Sequence, residues 1–210
     1  MEALISIAMV YVFIVLGFAA KKTFSEQINE QTLVLISLYF LQPILTFWGL
    51  TRTPINQELL LVPFIYLLIV GIVLFFSISA SRYILKDPKE RSIFIAASLI
   101  GNTGNLGIPL GIALFGEQSV AYTSIINIAN VFFIYTVGVY FYAKGQFSIK
   151  QSLGQIVKIP ILWFAILAIA FNSTGIVINP SIDKFLEMGS YATIVIQLMI
   201  FGIYLACLLY

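Results

Sequence analysis

Seven runs of apolar residues divide the chain, at about 3–20, 32–50, 59–81, 92–115, 119–143, 157–171 and 190–210. Apart from Lys158 at the edge of the sixth, none contains an Asp, Glu, Lys or Arg. A helix needs about 20 apolar residues to cross a bilayer. In lipid every backbone polar group must be satisfied within the spanning structure, which leaves helices as the solution for runs of this length. The reading is an all-α polytopic membrane protein of about seven transmembrane helices. Only 10% of residues are charged, and mean hydropathy is +1.03. A soluble domain carries far more charge.

The net charge of +2 is scattered over short loops and makes no nucleic-acid surface. The single cysteine, Cys207, cannot form an internal disulfide, and there is no histidine. That removes zinc, haem and histidine-relay chemistry. No paired carboxylates or nucleophile–base set occur at depth, so an enzyme is not expected. The first run lacks the basic flank of a signal peptide and follows Glu2; it reads as a retained helix, although Gly17-Phe18-Ala19 would serve as a cleavage site.

Cations set the orientation. Lys21, Lys22, Arg82, Lys86, Lys89, Arg91, Lys144, Lys150 and Lys158 fall in the odd-numbered loops, and only Arg52 and Lys184 in the even ones. Nine against two predicts cytoplasmic odd loops and an outside N-terminus, in a cell membrane. Glu117 and Gln118 mark a tight outer turn between spans four and five. Trp48 reads as an interfacial anchor.

The fourth run is interrupted by Gly-Asn-Thr-Gly-Asn-Leu-Gly-Ile-Pro-Leu-Gly at 101–111. Pro109 lacks an amide hydrogen and frees a carbonyl one turn earlier. Four glycines weaken the helix while letting other backbones approach. Small residues at this spacing often serve only tight helix packing. Asn102, Thr103 and Asn105 exceed what packing requires, because amides in lipid are costly unless bonded. Broken helices at membrane depth are where secondary transporters place substrate and ion sites.

Asn127 and Asn130 lie three apart in span five, with Thr123 on the same face. They read as a clamp between helices, as a second wall of the polar cavity, or as both. Gln42 beside Pro43 reads as a kink or a pathway residue; Gln197 is a weaker candidate of the same kind. Without ionisable groups at depth, an ionic solute would be met by neutral amides and helix dipoles. The candidate substrate residues are Asn102, Thr103, Gly104, Asn105, Gly107, Pro109, Asn127, Asn130 and Gln42.

The pattern Asn102-Thr103-Gly104-Asn105-Leu106-Gly107-Ile108-Pro109-Leu110 resembles the fourth-helix motif of the auxin efflux carrier family, in its prokaryotic branch. Tyr39-Phe40-Leu41-Gln42-Pro43, the outside start and the basic third loop agree, over essentially all of residues 1–210. The resemblance implies a ten-helix transporter of two inverted five-helix repeats, similar to bile acid sodium symporters, with helices four and nine broken and crossing. Residues 1–155 would be the first repeat. Spans one and two would belong to a scaffold and spans three to five to a mobile core. Residues 156–210 would begin the second repeat with scaffold spans six and seven. Asn102, Asn105 and Pro109 would form half of the crossover. Helices eight to ten are not in this sequence, relatives often carry a proline near Val195, and the 144–158 loop is short.

Ungapped sliding of 18–49 onto 171–202 pairs Phe18 with Phe171, Glu30 with Asp183 and Gly49 with Gly202, as a repeat would. The apolar end at Tyr210 and the five-span repeat predict a complete protein of roughly 300 residues. The expected function is secondary active transport of small organic anions by alternating access, coupled to H+ or Na+, without a cofactor. The expected partners are the anion, the lipid bilayer and a second copy in a homodimer. A seven-helix receptor and a passive channel are the alternatives.

Overall fold

The computed structural model describes residues 2–142, 154 and 157–208. Every described element is helical. They are α1 (Glu2–Phe24), α2 (Glu30–Ile36), α3 (Gln42–Arg52), α4 (Gln57–Ile84), α5 (Pro88–Leu99), α6 (Ile108–Phe115), α7 (Ser119–Phe133), α8 (Val139–Tyr142), α9 (Pro160–Ser173) and α10 (Pro180–Leu208). π turns occupy Ser37–Leu41, Thr103–Gly107 and Ile134–Gly138. Six helical segments are long and apolar enough to cross a membrane. The α9 helix has 14 residues, or about 21 Å of rise, short of the roughly 30 Å hydrocarbon core. The expected end of span five at residue 143, the boundary at residues 155 and 156, and Lys144 and Lys150 lie outside the described residues.

Several helices begin before their apolar runs, because a cap and not hydropathy starts a helix. The Asn29 side chain accepts from the Thr32 amide, and Asn56 from that of Leu59. Asp87 accepts from Lys89, with Pro88 as the first helical residue, so span four starts at 88 and not 92. Between α6 and α7 the chain reverses at Gly116, whose φ of 80° and ψ of 179° lie in a region open essentially to glycine alone.

Residues form two compact units. The first contains residues 1–55, 104–124 and 160–210, and the second contains 56–103 and 125–159. In the first, α1 and α10 touch backbone to backbone. A Cβ on Gly202 would land on the Ile14 carbonyl oxygen, and one on Gly17 would land on that of Met199. Val10, Ile14, Leu45, Trp48, Ile108, Val120, Ile194 and Leu198 fill its core. Trp48 is therefore not an interfacial anchor: it is fully buried, because its ring fills the space under Arg52, whose Cζ lies 4.5 Å from the ring centroid. In the second unit Val70, Ile95 and Leu99 pack with Tyr66, Leu74 and Phe133. The opposite face of α4 turns Phe64, Leu68, Phe75 and Phe76 outward, each over 60% exposed. That surface suits lipid.

Candidate functional site

The span Pro88–Phe115 is broken. The α5 helix stops at Leu99, where Ile100 turns to φ −84° and ψ 92°. Gly101 and Asn102 are non-helical, the π turn follows, and α6 then runs to Phe115. The interruption thus precedes Pro109 instead of being made by it. Pro109 sits in the first turn of α6, where a missing amide hydrogen is harmless. Pro43 stands in the same relation to its own π turn at Ser37–Leu41, across which the Gln42 amide donates to the Ser37 carbonyl. A π turn carries one extra residue per turn, which moves the carbonyls away from a ring that cannot bond them.

In the second unit the break is held by side chains. Asn130 Nδ2 donates to the Gly101 carbonyl at 2.8 Å and to Thr103 Oγ1 at 2.9 Å. Thr103 Oγ1 donates to Asn127 Oδ1 at 3.0 Å. Tyr66 of α4 donates from its hydroxyl to Asn130 Oδ1 at 2.6 Å. Asn127 and Asn130 are both buried, at 7% and 3% exposure. Thr103, Asn127 and Asn130 are thus brought together. Tyr66 was missed by sequence reasoning; it is one of the 11 tyrosines of the chain and lies in its most apolar span. Its signal would have been a hydroxyl in the middle of an apolar run, well before Ser77, Ser79 and Ser81 at its end. Asn102 is exposed, and its side chain makes no hydrogen bond among the described residues.

The chain enters the first unit at Gly104. There Asn105 is half-buried, and its side chain likewise has no hydrogen-bond partner among the described residues. Gly104 and Pro109 are buried, and Gly107 is half-buried. Pro109 borders an apolar cavity of about 320 Å³ with Val10, Phe13 and Leu198. Thr123 bonds its own helix, at the carbonyls of Ser119 and Val120, and packs on Gly111. Gln42 is buried against α10, where Gln197 Nε2 donates to its Oε1 at 2.5 Å.

A charged node ties one end of the first unit. Arg52 pairs with Glu117 and with Asp183, each at 2.8 Å, and Tyr191 donates to Glu117. Beside it Asn172 donates to the carbonyls of Leu50 and Thr53, on the wall of a cavity of about 640 Å³. Lys21 pairs with Glu30 at 2.9 Å, and Cys207 donates to Glu30, at the turn between α1 and α2. Even-numbered loops thus meet at Arg52, and the first loop meets the far end of α10. Among the described residues no group of three metal-ligating side chains occurs.

The sequence profile of the membrane transport protein family matches residues 2–156. A protein of Methanocaldococcus jannaschii described as an uncharacterized transporter is 29% identical over 212 residues, covering 95% of this chain and 68% of its own. No solved structure matches the chain.

Proposed function

The chain belongs to the membrane transport protein family, as its resemblance to the auxin efflux carriers implied, and from that premise we propose that it is a secondary active carrier of small organic anions working by alternating access. It is a multi-pass membrane transporter and not an enzyme. The observation that carries the finer reading is the break at Ile100–Asn102 within a span free of charge below its first two turns. Side-chain amides without partners among the described residues, at Asn102 and Asn105, are the neutral means of holding an ionic group at depth. The helical segment that begins with the π turn at Thr103 and continues as α6 adds about half a positive charge at its amino end, which favours an anion.

In this reading Asn102, Thr103, Gly104, Asn105, Gly107 and Pro109 form the solute site. Asn127 and Asn130 brace it, and Gln42 belongs to the pathway. Coupling to H+ or Na+ drives the cycle. Residues 1–155 form one five-helix repeat, 156–210 begin its inverted partner, and the protein sits in the cell membrane with its N-terminus outside. A homodimer is the assembly in this reading.

The test is uptake of a panel of radiolabelled small carboxylates into proteoliposomes, normalised to folded protein. Asn105→Ala removes an amide that has no hydrogen-bond partner among the described residues, and Pro109→Ala lets the π turn relax to α, which rotates the break by about one residue. Both are expected to cut uptake roughly tenfold with insertion intact. Uptake at the parent rate by both variants would reduce the 101–111 segment to packing. Counterflow that saturates separates this carrier from a passive channel.

A further inference from the structure

The polar chain in the second unit has a direction. A phenol has one proton, and that of Tyr66 goes to Asn130 Oδ1 at 2.6 Å. With its oxygen occupied, Asn130 turns Nδ2 the other way and uses both hydrogens, on the Gly101 carbonyl and on Thr103 Oγ1. Thr103 therefore sends its own proton on to Asn127 Oδ1. The opposite direction would set Asn130 Oδ1 against the Gly101 carbonyl, acceptor against acceptor. Gly101 stands close enough for this to matter: a Cβ there would lie 3.7 Å from the Tyr66 hydroxyl and 3.9 Å from Asn130 Oδ1.

The acceptor of Asn127 is thus taken, and its Nδ2 is the last polar group of the chain. That nitrogen has no partner among the described residues. Unlike the Ser124 hydroxyl one turn before it, it is not sealed off from its surroundings.

We infer that Tyr66 is a positioning residue for the solute site: the Gly101 carbonyl, which can only accept, sets the direction of the Tyr66–Asn130–Thr103–Asn127 chain, and the Tyr66 hydroxyl holds Asn130 in place by its oxygen, leaving the Asn127 amide as a donor to a hydrogen-bond-accepting group of the solute. The inference rests on the reading of the helix break as the solute site. Tyr66 acts through Asn130 and touches no solute itself.

Asn127→Asp tests the tail of the chain by exchanging one atom. It keeps an oxygen to accept from Thr103 and puts a second oxygen where the donor was. The probes are benzoate, which offers only acceptors, and benzylamine, a donor of similar size. Binding is read as the rise in melting temperature of the purified chain in lipid nanodiscs. Benzoate is expected to stabilise the parent and benzylamine is not. Asn127→Asp should weaken benzoate at least tenfold. Tyr66→Phe should weaken it several-fold, and 4-aminophenylalanine at position 66, which keeps a donor at the ring tip, should restore it. A merely structural Tyr66 would lower the melting temperature without moving the benzoate affinity. No benzoate shift in the parent, or parent affinity in Asn127→Asp or Tyr66→Phe, overturns the inference. Loss of uptake in Asn105→Ala and Pro109→Ala alongside such a result would leave the transport reading standing.

Discussion

Asn130, in the middle of span five, donates to the carbonyl of Gly101 at 2.8 Å and so satisfies a backbone group that the broken span four leaves without a helical partner. The two residues are 29 apart in sequence. The same amide nitrogen also reaches Thr103, so one side chain holds both sides of Asn102. A buried carbonyl left unpaired costs about 1–3 kcal/mol, and in lipid no water replaces the lost bond.

Asn130→Ala is therefore expected to lower both stability and transport. The loss should be about 1–3 kcal/mol, seen as a lower melting temperature in lipid nanodiscs, with uptake reduced in parallel. A variant that melts with the parent would show that the Gly101 carbonyl finds another partner.

Asn105→Ala should behave in the opposite way. Its side chain makes no hydrogen bond among the described residues and is half-buried, so removal should change stability by less than about 0.5 kcal/mol. Uptake should still fall roughly tenfold, as loss of one buried solute hydrogen bond would produce. Equal losses in melting temperature and uptake would mark Asn105 as structural.

Gly202→Ala should separate α1 from α10. The added methyl lands on the Ile14 carbonyl oxygen and close to the Phe18 amide nitrogen, and rigid backbone cannot move aside as a side chain can. Overpacking of this kind costs about 1–3 kcal/mol. Thermal unfolding compared with Gly71→Ala, where a Cβ meets nothing within 4 Å, gives the measure. Equal melting of the two variants would refute the contact.

Topology can be read by labelling. Cys207 is exposed and must first become Ser. Single cysteines at Glu26 and Gln118, both exposed, should then react from opposite faces of sealed cells, Gln118 from outside. Labelling of both from outside would reverse the cation argument.

Much of the helical architecture was legible in the sequence, because lipid imposes a length and an apolar composition on every crossing. The helix starts after Asn29, Asn56 and Asp87 were not read from the apolar runs, although their signal is local, since a cap and its amide lie two or three residues apart. The glycine and asparagine content of 101–111 marked where span four would fail. It did not locate the break at Ile100–Asn102, because whether a π turn absorbs Pro109 depends on what pairs with the carbonyls upstream. Only the tertiary structure decided the partners of the polar side chains. Tyr66 reaches Asn130 across 64 residues, Gln197 reaches Gln42 across 155, and Arg52 joins Glu117 to Asp183. It also moved Trp48 from an expected interface into the core. Apolar periodicity states that a helix crosses the membrane; which of its faces meets another helix is set by the packing of the whole bundle, and in lipid, where outward and inward faces are both apolar, the pattern of a single span does not carry that choice.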